Sequence, residues 1–169
     1  MKKLATILLL SSLTLGLVAC GSNDEETKDP TTQEETVTAN FEPSEVLADF
    51  EASMNPDELV AQQELDAAML KELYKLDDTL VESFTAKIPM ISAQYEEYLV
   101  IKAKEGKAEE VKDLFMQRID FLKDPSNMTY PEHLDLIDDY KLSVKGDYVL
   151  FAIGHHSQKV LDAFEAKFE

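Results

Sequence analysis

Apolar positions along the chain change their period several times, and each change predicts an element. Val46, Leu47, Phe50 and Met54 have helical spacing, with Ser44 placed to cap the helix. Asn55-Pro56-Asp57 interrupts the pattern, and Pro56 suits the first turn of a following helix. Leu59, Val60, Gln63, Ala67, Leu70 and Tyr74 predict that helix over about 57–74. After Glu82 the period drops to two: Phe84, Ala86, Ile88 and Met90 predict a strand. Pro89 cannot donate to a ladder, so this strand is expected at a sheet edge or with a break. Ser92-Ala93-Gln94 predicts a turn, and 95–104 a second strand with Glu97, Leu99, Ile101 and Ala103 on one face. A turn at Glu105-Gly106-Lys107 leads to an amphipathic helix over 108–123. After a loop at 124–127, a short helix is expected over 131–140. Segments 141–145 and 148–153 flank Gly146-Asp147, a two-residue hairpin turn. The 148–153 strand is apolar on both faces and is expected inside the sheet. Ser157 is placed to cap a last helix carrying Val160, Leu161, Phe164 and Phe168 on one face.

The order strand, strand, helix thus occurs twice, with sequence echoes. Tyr98-Leu99-Val100-Ile101 matches Tyr148-Val149-Leu150-Phe151, and Val111 to Phe115 matches Val160 to Phe164. The expectation is an α+β fold. Two strand–strand–helix repeats would form a four-stranded antiparallel sheet with both long helices on one face, preceded by N-terminal helices.

The first residues follow another logic. Met1-Lys2-Lys3 is a basic start, and 4–19 is a run without charge, too short for a membrane span. That is the form of a secretory signal peptide. It ends Leu17-Val18-Ala19-Cys20, which resembles the lipobox of bacterial lipoproteins, where a lipid joins the Cys thiol and the chain is cut before it. Cys20 is the only cysteine, which excludes an internal disulfide and a cysteine-rich metal site. Two acyl chains on one residue anchor stably, at about 0.8 kcal/mol per buried methylene. Residues 21–43 are acidic and Thr-rich with few large apolar residues, a composition for a disordered stalk. Such a stalk spans about 25 Å root-mean-square. The expected organisation is signal peptide 1–19, lipidated Cys20 and stalk 20–43, and one domain over 44–169.

Charge narrows the function classes. The chain carries 16 Lys+Arg against 34 Asp+Glu, a net charge of −18. Residues 44–169 hold 13 basic and 27 acidic residues, a balance of −14. Nucleic-acid binders need the opposite sign. The 5 glycines are too dispersed for a phosphate-cradling loop, so no nucleotide cofactor is expected. His133, His155 and His156 lack a ligand spacing, and Asp77-Asp78, Glu96-Glu97, Glu109-Glu110 and Asp138-Asp139 lack a calcium-loop pattern, so no metal is expected. No G-x-S-x-G is present, and no catalytic residue is assigned.

The domain also resembles a family. M-L-K-E-L-Y-K-L-D (69–77), A-K-I-P-M-I (86–91), Glu97, I-K-A-K-E-G-K (101–107), Arg118, Y-P-E-H (130–133) and Y-K-L-S-V-K-G-D-Y-V-L-F (140–151) are similar to bacterial lipoproteins, mostly of Firmicutes, that share domain of unknown function 4358. The resemblance implies an extracytoplasmic lipoprotein and supplies no reaction. The expected function is a lipid-anchored surface protein on the outer face of the cell membrane, a non-enzymatic binding or envelope-structural module. Its expected partners are the membrane, through the anchor, and an envelope protein or cationic ligand. The alternatives are a small cell-envelope hydrolase using an acidic pair and a cation-binding surface protein.

One polar contact is expected inside the fold. On helix 108–123 the apolar stripe is Val111, Leu114, Phe115 and Leu122, and Arg118 falls in its middle. Glu97 shares the apolar face of its strand. One charge of each sign therefore points between strand and helix, which predicts either a partly buried Glu97–Arg118 ion pair with a structural role or an Arg118 extended past the helix end with Glu97 in a bulge at the sheet margin.

Overall fold

The computed structural model describes residues 39–91, 94–127 and 130–169. The signal peptide, Cys20, most of the stalk and Ser92-Ala93 of the turn lie outside the described residues. Helix α1 spans Pro43–Ser53, and a single helical turn follows at Pro56–Glu58. Strand β1 is Gln62–Glu64, α2 is Ala67–Tyr74, β2 is Val81–Pro89 and β3 is Glu97–Ala103. Next come α3 at Ala108–Lys123 and, after a turn at Pro131–His133, the short α4 at Leu134–Asp138. Strands β4, Lys141–Lys145, and β5, Tyr148–Ile153, form the hairpin, and α5 at Ser157–Glu165 precedes a last turn. Among the described residues no helix is long and apolar enough to cross a membrane.

The fold is α+β, built on an antiparallel sheet in the order β1-β2-β3-β5-β4. It has five strands, not the expected four. The added strand, β1, replaces the middle of the helix expected over 57–74. Its residues are compatible with a helix, but they pair with the end of β2, Gln62 opposite Pro89 and Glu64 opposite Lys87. Tertiary hydrogen bonding here overrides a weak local preference. The edge expected at Pro89 is likewise corrected, because β1 covers β2 there. Strand β5 lies inside the sheet between β3 and β4, with every residue buried.

Two cores sandwich the sheet. Leu99, Ile101 and Ala103 of β3 join Val149, Phe151 and Ile153 of β5 under α2 and α3. Tyr98 and Val100 join Tyr148, Leu150 and Ala152 under α1 and α5. Helices α3 and α5 therefore lie on opposite faces, which overturns the expectation of both helices on one face and the repeat behind it. Strands β3 and β5, the two that precede α3 and α5, carry apolar residues on both faces, so their periodicity carries no information about which face each following helix covers.

The expected caps also move. Helix α1 has Glu42 at its N-cap, where the Glu42 N–H donates to Oε1 of Glu45 at 2.9 Å, while Ser44 lies within the helix. Helix α5 has His156 at its N-cap, and Ser157 is a buried first residue with no capping bond. The hairpin turn holds Gly146 at φ 57, a left-handed conformation open to glycine at little steric cost.

The sheet has two distinct ends. The chain enters at one of them, where Phe41 stacks on Tyr148 at 4.1 Å and Tyr148 Oη donates to Phe41 O at 2.8 Å. Residues 39–43, read from the sequence as stalk, thus pack on the domain. At the opposite end lie the start of β3, the ends of β2 and β5, and the C-terminal part of α3.

Candidate functional site

Strand β3 begins beneath the C-terminal half of α3, and α2 ends beside both. From these three elements the structure brings together Glu97, Arg118 and Tyr74. Arg118 Nη2 donates to Glu97 Oε1 at 2.6 Å, and its Nε to Oε2 at 3.3 Å. Tyr74 Oη donates to the same Oε2 at 2.6 Å. The side chains of Arg118 and Glu97 are only 17% and 8% exposed. The guanidinium lies 5.2 Å from the centre of the Tyr74 ring and 5.6 Å from that of Phe121. On α3 the buried stripe is Val111, Phe115, Ile119 and Leu122, with Leu114 half-buried and Arg118 at its border.

Electrostatics follow from this closure. Burial, and then the negative charge of Glu97, push the Tyr74 phenol well above its ordinary value. Burial works against the charge of Arg118, but the Glu97 carboxylate outweighs it and leaves the guanidinium more basic than usual. Three donors occupy the two oxygens of Glu97. The arrangement ties α2, β3 and α3 together. Tyr74 was the member missed in the sequence: it stood in the apolar stripe of a helix, and nothing there marked its hydroxyl.

Glu96, the preceding residue, points to the other face. It is 3% exposed, and its Oε2 accepts from Tyr98 Oη at 3.1 Å. Burial, followed by the Glu96 charge, raises the Tyr98 phenol. Gln62 Nε2 donates to the Glu96 carbonyl at 3.0 Å. Gly154 backs this corner at φ 131, and a Cβ there would come within 2.7 Å of Glu96 Cγ. Glu96 and Glu97 are therefore separated by the sheet and do not face each other as an acidic pair.

The other carboxylate clusters disperse. Asp77 accepts from both the N–H and the hydroxyl of Thr79 and pairs with Lys71 at 3.2 Å. Those Thr79 bonds, with help from Lys71, pull it down to about 2. Glu109 pairs with Lys112 at 2.7 Å and Glu110 with Lys107 at 2.8 Å. Asp138 pairs with Lys123 and Asp139 with Lys141, each at 2.7 Å. Of the histidines, His133 sits 5.2 Å from the Tyr95 ring, His155 is exposed, and Nε2 of His156 lies 3.3 Å from the Glu58 carbonyl. Among the described residues no three His, Cys, Asp or Glu side chains converge as metal ligands.

Two surface grooves follow the sheet edges. One, of about 610 Å³, runs beside β4 between α3 and α5, over Met116, Tyr140, Leu142 and Leu161. The other, of about 450 Å³, lies between α2 and β2, over Leu70, Leu76, Val81 and Phe84.

The profile of a family described as domain of unknown function (DUF4358) matches residues 55–154, more than half of the chain. The match includes Tyr74, Glu97 and Arg118. No curated protein and no solved structure matches the chain.

Proposed function

We infer the function from the residues themselves, because the chain belongs to the DUF4358 family, whose description names no activity. The reading they support best is a lipid-anchored module on the outer face of a bacterial membrane that binds a partner and catalyses no reaction. The observation that carries it is Leu17-Val18-Ala19-Cys20 behind a basic and then uncharged start. Thioether lipidation of Cys20 would place two acyl chains in the bilayer, enough for stable anchoring. The non-enzymatic half is supported by the fate of the carboxylates: Glu97 is occupied by Arg118 and Tyr74, and the exposed clusters are spread over separate ion pairs.

The test is Cys20→Ser in a Gram-positive host fed labelled palmitate. Wild type is expected to take up label, lose residues 1–19 and stay with the membrane through a high-salt wash. The variant is expected to remain unlabelled and to be unprocessed or released. Normal processing and membrane retention of the variant would overturn the anchor.

A further inference from the structure

We propose that the end of the sheet opposite the chain entry is a docking surface for a cationic polypeptide segment that carries apolar side chains. Four of the six large apolar side chains that stand exposed among the described residues lie there: Met90 at 65%, Ile91 at 59%, Phe121 at 52% and Leu134 at 37%. They belong to separate loops and a helix end that the fold draws together. Gln94 N donates to Ile91 O at 3.0 Å. Tyr95 then meets the ring of His133, the residue before Leu134. Phe121 joins through Arg118, whose guanidinium spans from its ring to Glu97. Exposed apolar side chains gathered in this way mark an interaction surface, and methionine adapts to varied partners.

Charge selects the occupant. Exposed Asp120 and Asp124 bracket Phe121, and exposed Glu132 and Asp135 bracket Leu134. Asp57 and Glu58 precede Ala61, whose carbonyl receives the N–H of Met90 at 3.1 Å. The nearby cations are engaged, Arg118 by Glu97 and Lys123 by Asp138. The rim is therefore anionic around an apolar centre. A second copy of the chain would bring like charges together. A bilayer with anionic headgroups would repel the same rim. A segment with Lys or Arg around apolar side chains meets both features. The sheet also separates this surface from Phe41, where the chain enters. The docking itself does not rest on the lipid-anchor reading.

The experiment uses full-length lipidated protein in phosphatidylcholine vesicles, with empty vesicles subtracted. The probes are a fluorescent amphipathic Lys/Leu peptide and its Glu/Leu counterpart. The Lys/Leu peptide is expected to bind and the Glu/Leu peptide to fail. Met90→Ser/Ile91→Ser and Phe121→Ser should each weaken binding by about tenfold, with thermal midpoints unchanged because the side chains are exposed. Raising salt from about 50 to about 500 mM should weaken it further. Equal binding by wild type and both variants would overturn the proposal, since net charge alone would then explain it; so would no binding at all. Cys20→Ser should lose vesicle attachment yet keep its peptide affinity, which separates failure of the anchor from failure of the surface. If unanchored Cys20→Ser protein attaches to anionic vesicles and Met90→Ser/Ile91→Ser releases it, the surface faces lipid and the docking proposal falls.

Discussion

Arg118 and Glu97 stand close to the limit at which an ion pair stops being a surface feature. With the guanidinium removed, Glu97 would keep Tyr74 as its one side-chain donor in a nearly dry layer. Arg118→Ala should therefore cost about 3–5 kcal/mol in urea unfolding, and the double change Glu97→Leu/Arg118→Met should recover much of that loss. A cost below about 1 kcal/mol would place the pair with exposed ones. The phenols of Tyr74 and Tyr98 give a second measurement. Both are raised from the ordinary 10.0, first by burial and then by a neighbouring carboxylate. A raised folded-state value means stability that is whole below the unfolded phenol value and is lost as pH climbs above it. Of the 6 tyrosines, these two should stay protonated past pH 10 and release their protons only as the protein unfolds. Phenolate absorbance followed beside circular dichroism reads this directly, and Tyr74→Phe should soften the alkaline loss. Ionisation of all six before any loss of ellipticity would contradict it.

Strand β4 is one edge of the sheet, across from β1, and its first and last residues are Lys141 and Lys145. Two copies pairing antiparallel about Ser143 would set Lys141 against Lys145, so charge guards the edge. Lys141→Thr/Lys145→Val should promote self-association, seen as a rise in sedimentation coefficient with concentration; a variant that stays monomeric would show that the neighbouring groove already blocks pairing. The hairpin behind this edge was legible because Gly146-Asp147 interrupts two strand-like runs. Helix α3 was legible end to end because sixteen residues sustain one amphipathic period. Strand β1 was not, because three residues, Gln62–Glu64, are too short to show any period. Its partner is the end of β2, about two dozen residues later in the chain.

The molecule as a whole has a polarity that no single element carries. Its chain enters beside Tyr148, at one end of the strands, and Met90, Ile91, Phe121 and Leu134 collect at the other. The vesicle experiment addresses the proposed anchor and the proposed docking surface each by its own variant. The pair at Glu97 and Arg118 lies under the docking end. It links β3 to the helix that carries Phe121, and so holds in place the scaffold from which that side chain projects.

Much of this was written in local patterns. The period of apolar residues predicted α3, β3, β5 and the hairpin, and the mid-stripe position of Arg118 opposite an inward Glu97 offered their pairing as one of two outcomes, the one the structure shows. Those inferences hold because helix and strand geometry decide, within a few residues, which side chains share a face. The side of the sheet each helix covers was decided elsewhere. Leu99, Val100, Val149 and Leu150 are apolar on both faces of their strands, so α3 and α5 could have packed on either, and only the path of the connections sends them to opposite sides. Tyr74 closing on Glu97, Glu96 parted from Glu97 by the sheet, and loops distant in the chain gathered around Tyr95 and His133 all depend on that choice. They are long-range contacts, and the pattern of one segment carries no information about the segment that will face it.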